Sequence, residues 1–188
     1  SAAASIQICS TVMNLFMIVT FGLANAAVVI IGNEIGANRE SEAISASKKI
    51  SSLSFKISIL LAIVLAFLSK PIVSFFNVSV EVKIASEYIL YVYAFILVFK
   101  IYNAVMIVGI LRGGGDATYG SILQGLTLWL IGIPLAAFAA FIIKLPIYFV
   151  VMFAAVEEII KVFFMMKRFK SFKWIKNMVN DEQNEVLT

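Results

Sequence analysis

Two stretches of the chain, residues 1–33 and 117–143, carry no charged side chain. Each exceeds the roughly 20 apolar residues needed to span the ~30 Å hydrocarbon core of a bilayer. Elsewhere the apolar positions run on without alternation, as in Ile59-Leu-Leu-Ala-Ile-Val-Leu-Ala-Phe-Leu68. A barrel strand would alternate apolar and polar residues, and unpaired backbone groups are too costly in hydrocarbon, so these runs read as helices. The pattern predicts an all-α, polytopic membrane bundle of five spanning helices over about residues 5–34, 50–76, 84–112, 118–143 and 146–168. Residues 1–169 form the transmembrane lobe in this reading, and 170–188 a polar, interfacial tail.

Punctuation separates the spans. Gly32-Asn-Glu-Ile-Gly36 with Asn38-Arg39 ends the first, Lys70-Pro71 and Asn77 mark the second turn, Gly113-Gly-Gly-Asp116 the third and Lys144-Leu-Pro146 the fourth. An odd number of spans puts the two ends on opposite sides. One face collects Arg39, Lys48, Lys49, Lys56, Arg112, Lys167, Arg168, Lys170, Lys173 and Lys176, against Lys70, Lys83 and Lys144 on the other. The positive-inside rule makes the first face cytoplasmic, with the C-terminus inside, as expected of a multi-pass protein of the plasma membrane. Ser1-Ala-Ala-Ala4 has no charged region before an apolar core, so it does not read as a signal peptide but as a start partway through a longer protein.

Composition narrows the chemistry. The 188 residues are 62% hydrophobic and 14% charged, with no histidine and one cysteine, Cys9, inside an apolar run. These counts exclude His-based triads, His/Cys zinc sites, iron–sulfur ligation and internal disulfides, and they argue against an enzyme or a resident cofactor. The aromatic residues lie within apolar spans, so no nucleic-acid stacking surface is indicated.

The few polar residues placed deep in the spans are the candidate functional positions. Lys100 lies twelve residues before Arg112, and Glu158 ten before Arg168, placing both well inside the bilayer. A charge there costs at least ~2.5 kcal/mol on insertion scales and calls for water or a partner. Lys100 can pair with Glu157 or Glu158 across helices; alternatively Glu157 pairs with Lys161 one helical turn on, while Lys100 snorkels. Asn14, Asn25 and Asn103 line a path or bond neighbouring helices. Gln124 and Trp129 are weaker candidates, the latter as a packing residue or interface anchor. Gly32 and Gly36 form a small-xxx-small spacing that lets helices approach closely. Gly113-Gly114-Gly115 lacks the strand and the Gly-Lys-Ser/Thr of a phosphate loop, so it reads as a flexible turn with Arg112 and Asp116 as interfacial anchors.

Taken in order, these motifs resemble the C-terminal half of the multidrug and toxin extrusion (MATE) transporters. The matching pieces are Gly22-Leu-Ala-Asn-Ala-Ala27, Ile30-Ile-Gly-Asn-Glu-Ile-Gly-Ala37, Asn103 through Gly109-Ile-Leu-Arg-Gly-Gly-Gly-Asp-Ala117, and Trp129-Leu-Ile-Gly-Ile-Pro-Leu135, with Lys173-Trp-Ile-Lys176 after the last span. The resemblance implies a transporter of two six-helix halves, of which this chain supplies the eighth to twelfth helices. Its partners would then be membrane lipid, the N-terminal lobe of the same parent protein, and small cationic or amphipathic substrates exported against Na⁺ or H⁺ by alternating access. Where some sodium-using relatives place a carboxylate before the Arg-Gly motif, this chain has Lys100 and Asn103, which points to the N-terminal half for the coupling acid. Asn14, Asn25, Lys100, Asn103, Glu157 and Glu158 would line or shape the lobe cavity. Gly32, Gly36, Arg112, Gly113, Gly115 and Asp116 would form structural or gating turns. The alternatives are a lipid-linked sugar flippase of the wider superfamily, which calls for several cavity cations where only Lys100 is central, and a membrane structural module. In the module, deep polar residues touch only neighbouring helices; in the transporter, several open to one cavity.

Overall fold

The computed structural model describes residues 2–176, and these are helical throughout apart from short connections. The helices are α1 (Ala2–Gly36), α2 (Glu40–Ser74), α3 (Val80–Ala104), α4 (Ala117–Thr127), α5 (Ile133–Ala137), α6 (Ile147–Ala154) and α7 (Val156–Lys170). Single π-helical stretches continue α3 over Val105–Leu111, join α4 to α5 over Leu128–Gly132 and extend α5 over Phe138–Ile142. Four continuous helical segments are long and apolar enough to cross a membrane: Ala3–Gly36, Glu40–Ser74, Val80–Leu111 and Ala117–Ile142. The fifth span expected over 146–168 is two shorter helices, broken at Ala155. The tail expected over 170–188 is described to Lys176; the remainder lies outside the described residues.

Helix α2 starts ten residues before the predicted span because it continues past the bilayer, with Glu40 and Glu42 in the first turn, where the helix dipole favours carboxylates. Asn38, at φ 58°, reverses the chain between α1 and α2, a left-handed position that Asn tolerates. Ser79 caps α3 by accepting a hydrogen bond from the Val82 N–H at 3.4 Å.

Helix α3 is the axis of the bundle: 67% of its most apolar stretch is buried, against 22, 22 and 17% for the other three spans. Helix α1 runs parallel to it. At one end Ser5 and Cys9 donate to the carbonyls of Val82 and Ser86. At the other, Gly109 and Gly113 press on the α1 backbone. A Cβ on Gly109 would lie 2.9 Å from the Ala27 Cβ and 3.2 Å from the Ala24 oxygen; one on Gly113 would lie 3.1 Å from the Val28 Cα. The close approach expected at Gly32 and Gly36 is thus made by Gly109 and Gly113. Gly32 only borders Gly113, and Gly36 faces open space, because it falls at the end of α1 beyond the crossing.

Helix α2 packs on α3 through a stripe of small residues that includes Ala43, Ser47, Ser54, Ser58 and Ala62. The hydroxyls of Ser47, Ser54 and Ser58 donate to carbonyls three residues back at 2.7–2.8 Å. Each hydroxyl is therefore satisfied within its own helix, and the helices can approach.

The end of the chain closes over the Gly113-Gly114-Gly115-Asp116 turn. Trp174 is fully buried, stacked on Phe169 with centroids 5.9 Å apart, and its indole N–H donates to the Phe169 carbonyl. A Cβ on Gly114 would stand 2.3 Å from the Trp174 ring, so only glycine leaves room for it. The Lys176 N–H donates to the Gly114 carbonyl at 2.8 Å. Asp116, 1% exposed, receives Arg168 Nε at 2.7 Å and Lys176 Nζ at 2.6 Å. The turn is clamped, not flexible; Asp116 is an internal ion-pair centre, and Arg112 alone stays exposed at the surface. Burial works to raise the Asp116 pKa, but the hydrogen bonds and charges of Arg168 and Lys176 outweigh it and hold the carboxyl below its ordinary range.

Gly109→Ala overpacks the α1–α3 crossing and costs about 1–3 kcal/mol in detergent unfolding, whereas Gly36→Ala costs nothing. With Trp129→Phe as background, Gly114→Ala red-shifts Trp174 emission at neutral pH. Because the folded Asp116 pKa is lowered, its contribution is complete above the ordinary value of about 3.9 and lost as pH falls through the folded value beneath it. An acid titration of Trp174 emission therefore shows a step below about pH 4, which Asp116→Asn removes.

Candidate functional site

A polar cluster sits inside the apolar bundle where α3 meets the break between α6 and α7. The break at Ala155 starts a new helix, so Glu157 and Glu158 fall in the first turn of α7 instead of mid-helix. Ala155 keeps helical dihedrals, its N–H bonds the Val151 carbonyl at 3.1 Å and the Glu158 N–H bonds the Ala155 carbonyl at 3.0 Å, so the helix bends here with its backbone groups paired. Lys161 completes the cluster from the next turn. It is 3% exposed, and its ammonium lies 3.4 Å from Glu157 Oε2 and 3.3 Å from Glu158 Oε2.

Helix α3 supplies the opposing wall. Asn103, 2% exposed, donates through Nδ2 to the Glu158 carbonyl at 2.9 Å and to Glu158 Oε2 at 2.7 Å. One amide thus ties α3 to the start of α7 and orients a carboxylate. From the third side, Gly132 brings its helix against Glu157: a Cβ there would lie 3.3 Å from the Glu157 Cγ.

Two adjoining cavities open on this cluster, of about 300 and 150 Å³. Asn14, Lys100, Glu157 and Glu158 line the larger, and Lys100, Asn103, Gln124, Glu158 and Lys161 the smaller, so Lys100 and Glu158 belong to both. Lys100 makes no ion pair within 4.0 Å among the described residues; the carboxylates take Lys161, the alternative left open by the spacing. Asn25 is exposed on α1 and lines neither cavity, and Trp129 is 69% exposed on the bundle surface. Arg112, Gly113, Gly115 and Asp116 belong to the clamped turn, away from the cavities.

The charges nearly balance: two carboxylates face one closely held ammonium and a second, from Lys100, across the cavity. One acceptor stays unfilled, since Asn103 Oδ1 is buried with no hydrogen-bond partner, whereas Glu157 Oε2 is held by the Lys161 ammonium at 3.4 Å. An unfilled buried acceptor costs about 1–3 kcal/mol, which a donor entering the cavity would relieve. Among the described residues no cluster of three or more His, Cys, Asp or Glu could hold a metal by side chains alone.

Sequence reasoning did not find three features of this region. The α6–α7 break has no proline or glycine to mark it, since Ala155 follows Val151-Met-Phe-Ala154. The serine stripe of α2 was readable as small residues three and four apart. Trp174 was visible only as part of a motif, not as a plug for Gly114.

Removing Lys161 strands two carboxylates in a low-dielectric interior, so Lys161→Met lowers unfolding stability by about 3–5 kcal/mol. Lys161→Arg, which keeps the charge, recovers most of that loss in the same melt.

Comparison with known families agrees with this architecture. No curated protein matches the chain. A family model described as MatE matches residues 1–138, from α1 into the π-helical stretch after α5, and stops before the carboxylates of α7. The match covers well over half of a multi-pass helical membrane chain, and the chain therefore belongs to the MatE family of transporters.

Proposed function

We propose that the chain is part of one lobe of a secondary active exporter, which carries cationic or amphipathic compounds outward in exchange for Na⁺ or H⁺ by alternating access. The observation that carries this reading is the convergence of Asn14, Lys100, Asn103, Glu157 and Glu158 on adjoining cavities within an apolar bundle. A purely structural module would leave such groups bonded to each other, and here the buried Asn103 Oδ1 remains unfilled and Lys100 has no carboxylate within 4.0 Å among the described residues. Ionisable groups are retained inside a membrane at a cost, and they mark ion or substrate paths by default.

In this mechanism Lys161 holds the two carboxylates and Asn103 fixes the orientation of Glu158. Lys100, on the opposite wall and without a close partner, is the movable countercharge. An entering cation settles beside Glu157 and Glu158, and the Lys100 ammonium across the cavity moves away toward water. A ligand shifts the lobes only by its differential affinity for the inward- and outward-open states, so this exchange of partners has to differ between them. In this reading the clamped turn and Trp174 face the cytoplasm, the side that the positive-inside rule favours for the lysine- and arginine-rich face.

The test uses the full-length protein in cells. Expression lowers accumulation of a cationic dye, and Glu158→Gln and Asn103→Leu raise it toward the level of cells without the protein. Lys100→Ala leaves the carboxylate pair intact and changes the concentration dependence of export more than its maximal rate. Replacing Na⁺ by K⁺, and separately collapsing the proton gradient, identifies the coupling ion. If no cationic or amphipathic dye accumulates less on expression, the export reading fails.

A further inference from the structure

A second cavity lies on a different side of the bundle and shares no residue with the polar one. It is about 420 Å³, formed between α2, α3 and α7, and is lined by apolar atoms of Phe55, Val98, Phe99, Val162 and Met166. Lys48, Ser51 and Ser52 stand at its entrance on α2. A shallow basic depression of about 390 Å³, formed by Lys48, Lys49, Ser52, Leu53 and Lys56, adjoins it and shares Lys48 and Ser52. Along α2, Lys48 to Phe55 is seven residues, so the apolar part runs about 10 Å deeper into the membrane than the first ammonium.

The charges are uncompensated. None of Lys48, Lys49 and Lys56 has a carboxylate within 4.0 Å among the described residues; Lys48 instead lies 5.9 Å from the centroid of the Phe172 ring. The acids of α2, Glu40 and Glu42, sit at its start, the latter six residues before Lys48 and hydrogen-bonded to Ser41. The polar groups deeper in the cavity are already used: Ser51 and Tyr102 share a hydrogen bond at 2.9 Å, and the Tyr102 hydroxyl reaches Met166 Sδ at 3.0 Å. What remains for a ligand is an apolar groove below and ammonium groups above.

We propose that this groove is a binding site for an acidic phospholipid, its phosphate on Lys48 and Lys49, its ester region beside Ser52, and one acyl chain along Phe55, Val98 and Val162. A free phosphate leaves the groove without an occupant, and a zwitterionic lipid places its own ammonium against three others. Juxtamembrane lysines attract anionic lipid by about fivefold each, and long lysine side chains such as Lys56 bury their stems while the head reaches the interface.

The experiment is native mass spectrometry of the full-length protein in detergent, titrated with phosphatidylglycerol or phosphatidylcholine. Phosphatidylglycerol binds more tightly by at least about fivefold. Lys48→Gln, Lys49→Gln and Lys56→Gln combined remove that preference, and Lys70→Gln, at the far end of α2, leaves it unchanged. Ser52→Trp, an exposed position that should tolerate the ring, blocks the entrance and weakens the binding of both lipids. Millimolar inorganic phosphate does not displace the lipid. Equal binding of the two lipids, a preference that survives the triple substitution, or displacement by phosphate alone each overturns the proposal, as does absence of binding because other helices of the protein fill the groove.

Discussion

Two carboxylates inside an apolar bundle set the terms for everything around them. Two devices hold Glu157 and Glu158 in place at membrane depth, the ammonium of Lys161 beside both and the amide of Asn103 on Glu158. Each device has a structural precondition. Lys161 reaches both acids because it lies one turn on, and Asn103 reaches Glu158 because α3 is the buried axis of the bundle. The position of α3 in turn depends on Gly109 and Gly113, which let α1 lie directly against it.

Much of this was legible before any coordinates. The uncharged runs located the spans, and counting from Arg112 and Arg168 put Lys100 and Glu158 at similar depth. The i,i+4 spacing offered Lys161 to Glu157. The glycine motif was misplaced for a physical reason: Gly32 and Gly36 have the right spacing, but a helix crossing is decided by which partner residues lie opposite, and those are Ala24, Ala27 and Val28 against Gly109 and Gly113. The break at Ala155 was illegible because no Pro or Gly announces it. The clamp over the third turn was equally hidden, since Asp116 meets its partners from 52 and 60 residues away.

The bundle is layered by function along its axis. At the end that carries the chain's last described residues, Trp174 and the Asp116 ion pairs lock α7 to the α3–α4 turn. Toward the middle, the polar cavities replace close packing. Helix α7 takes part in both, through Glu157 and Glu158 at its start and Arg168 at its end. The lipid groove lies on yet another face of α7, at Val162 and Met166, so an acyl chain there would stiffen the same helix.

The cluster is proposed to face a water-filled path open to cations. Cysteine accessibility tests it most directly, in the full-length protein with the buried Cys9 replaced by Ala. Lys100→Cys is expected to react with a charged, membrane-impermeant thiol reagent, and an exported cationic dye is expected to protect it. Phe67→Cys, 80% exposed on the outer surface of α2, should react slowly and show no protection. Labelling of Lys100→Cys no faster than that of Phe67→Cys, or unaffected by the dye, would contradict the account.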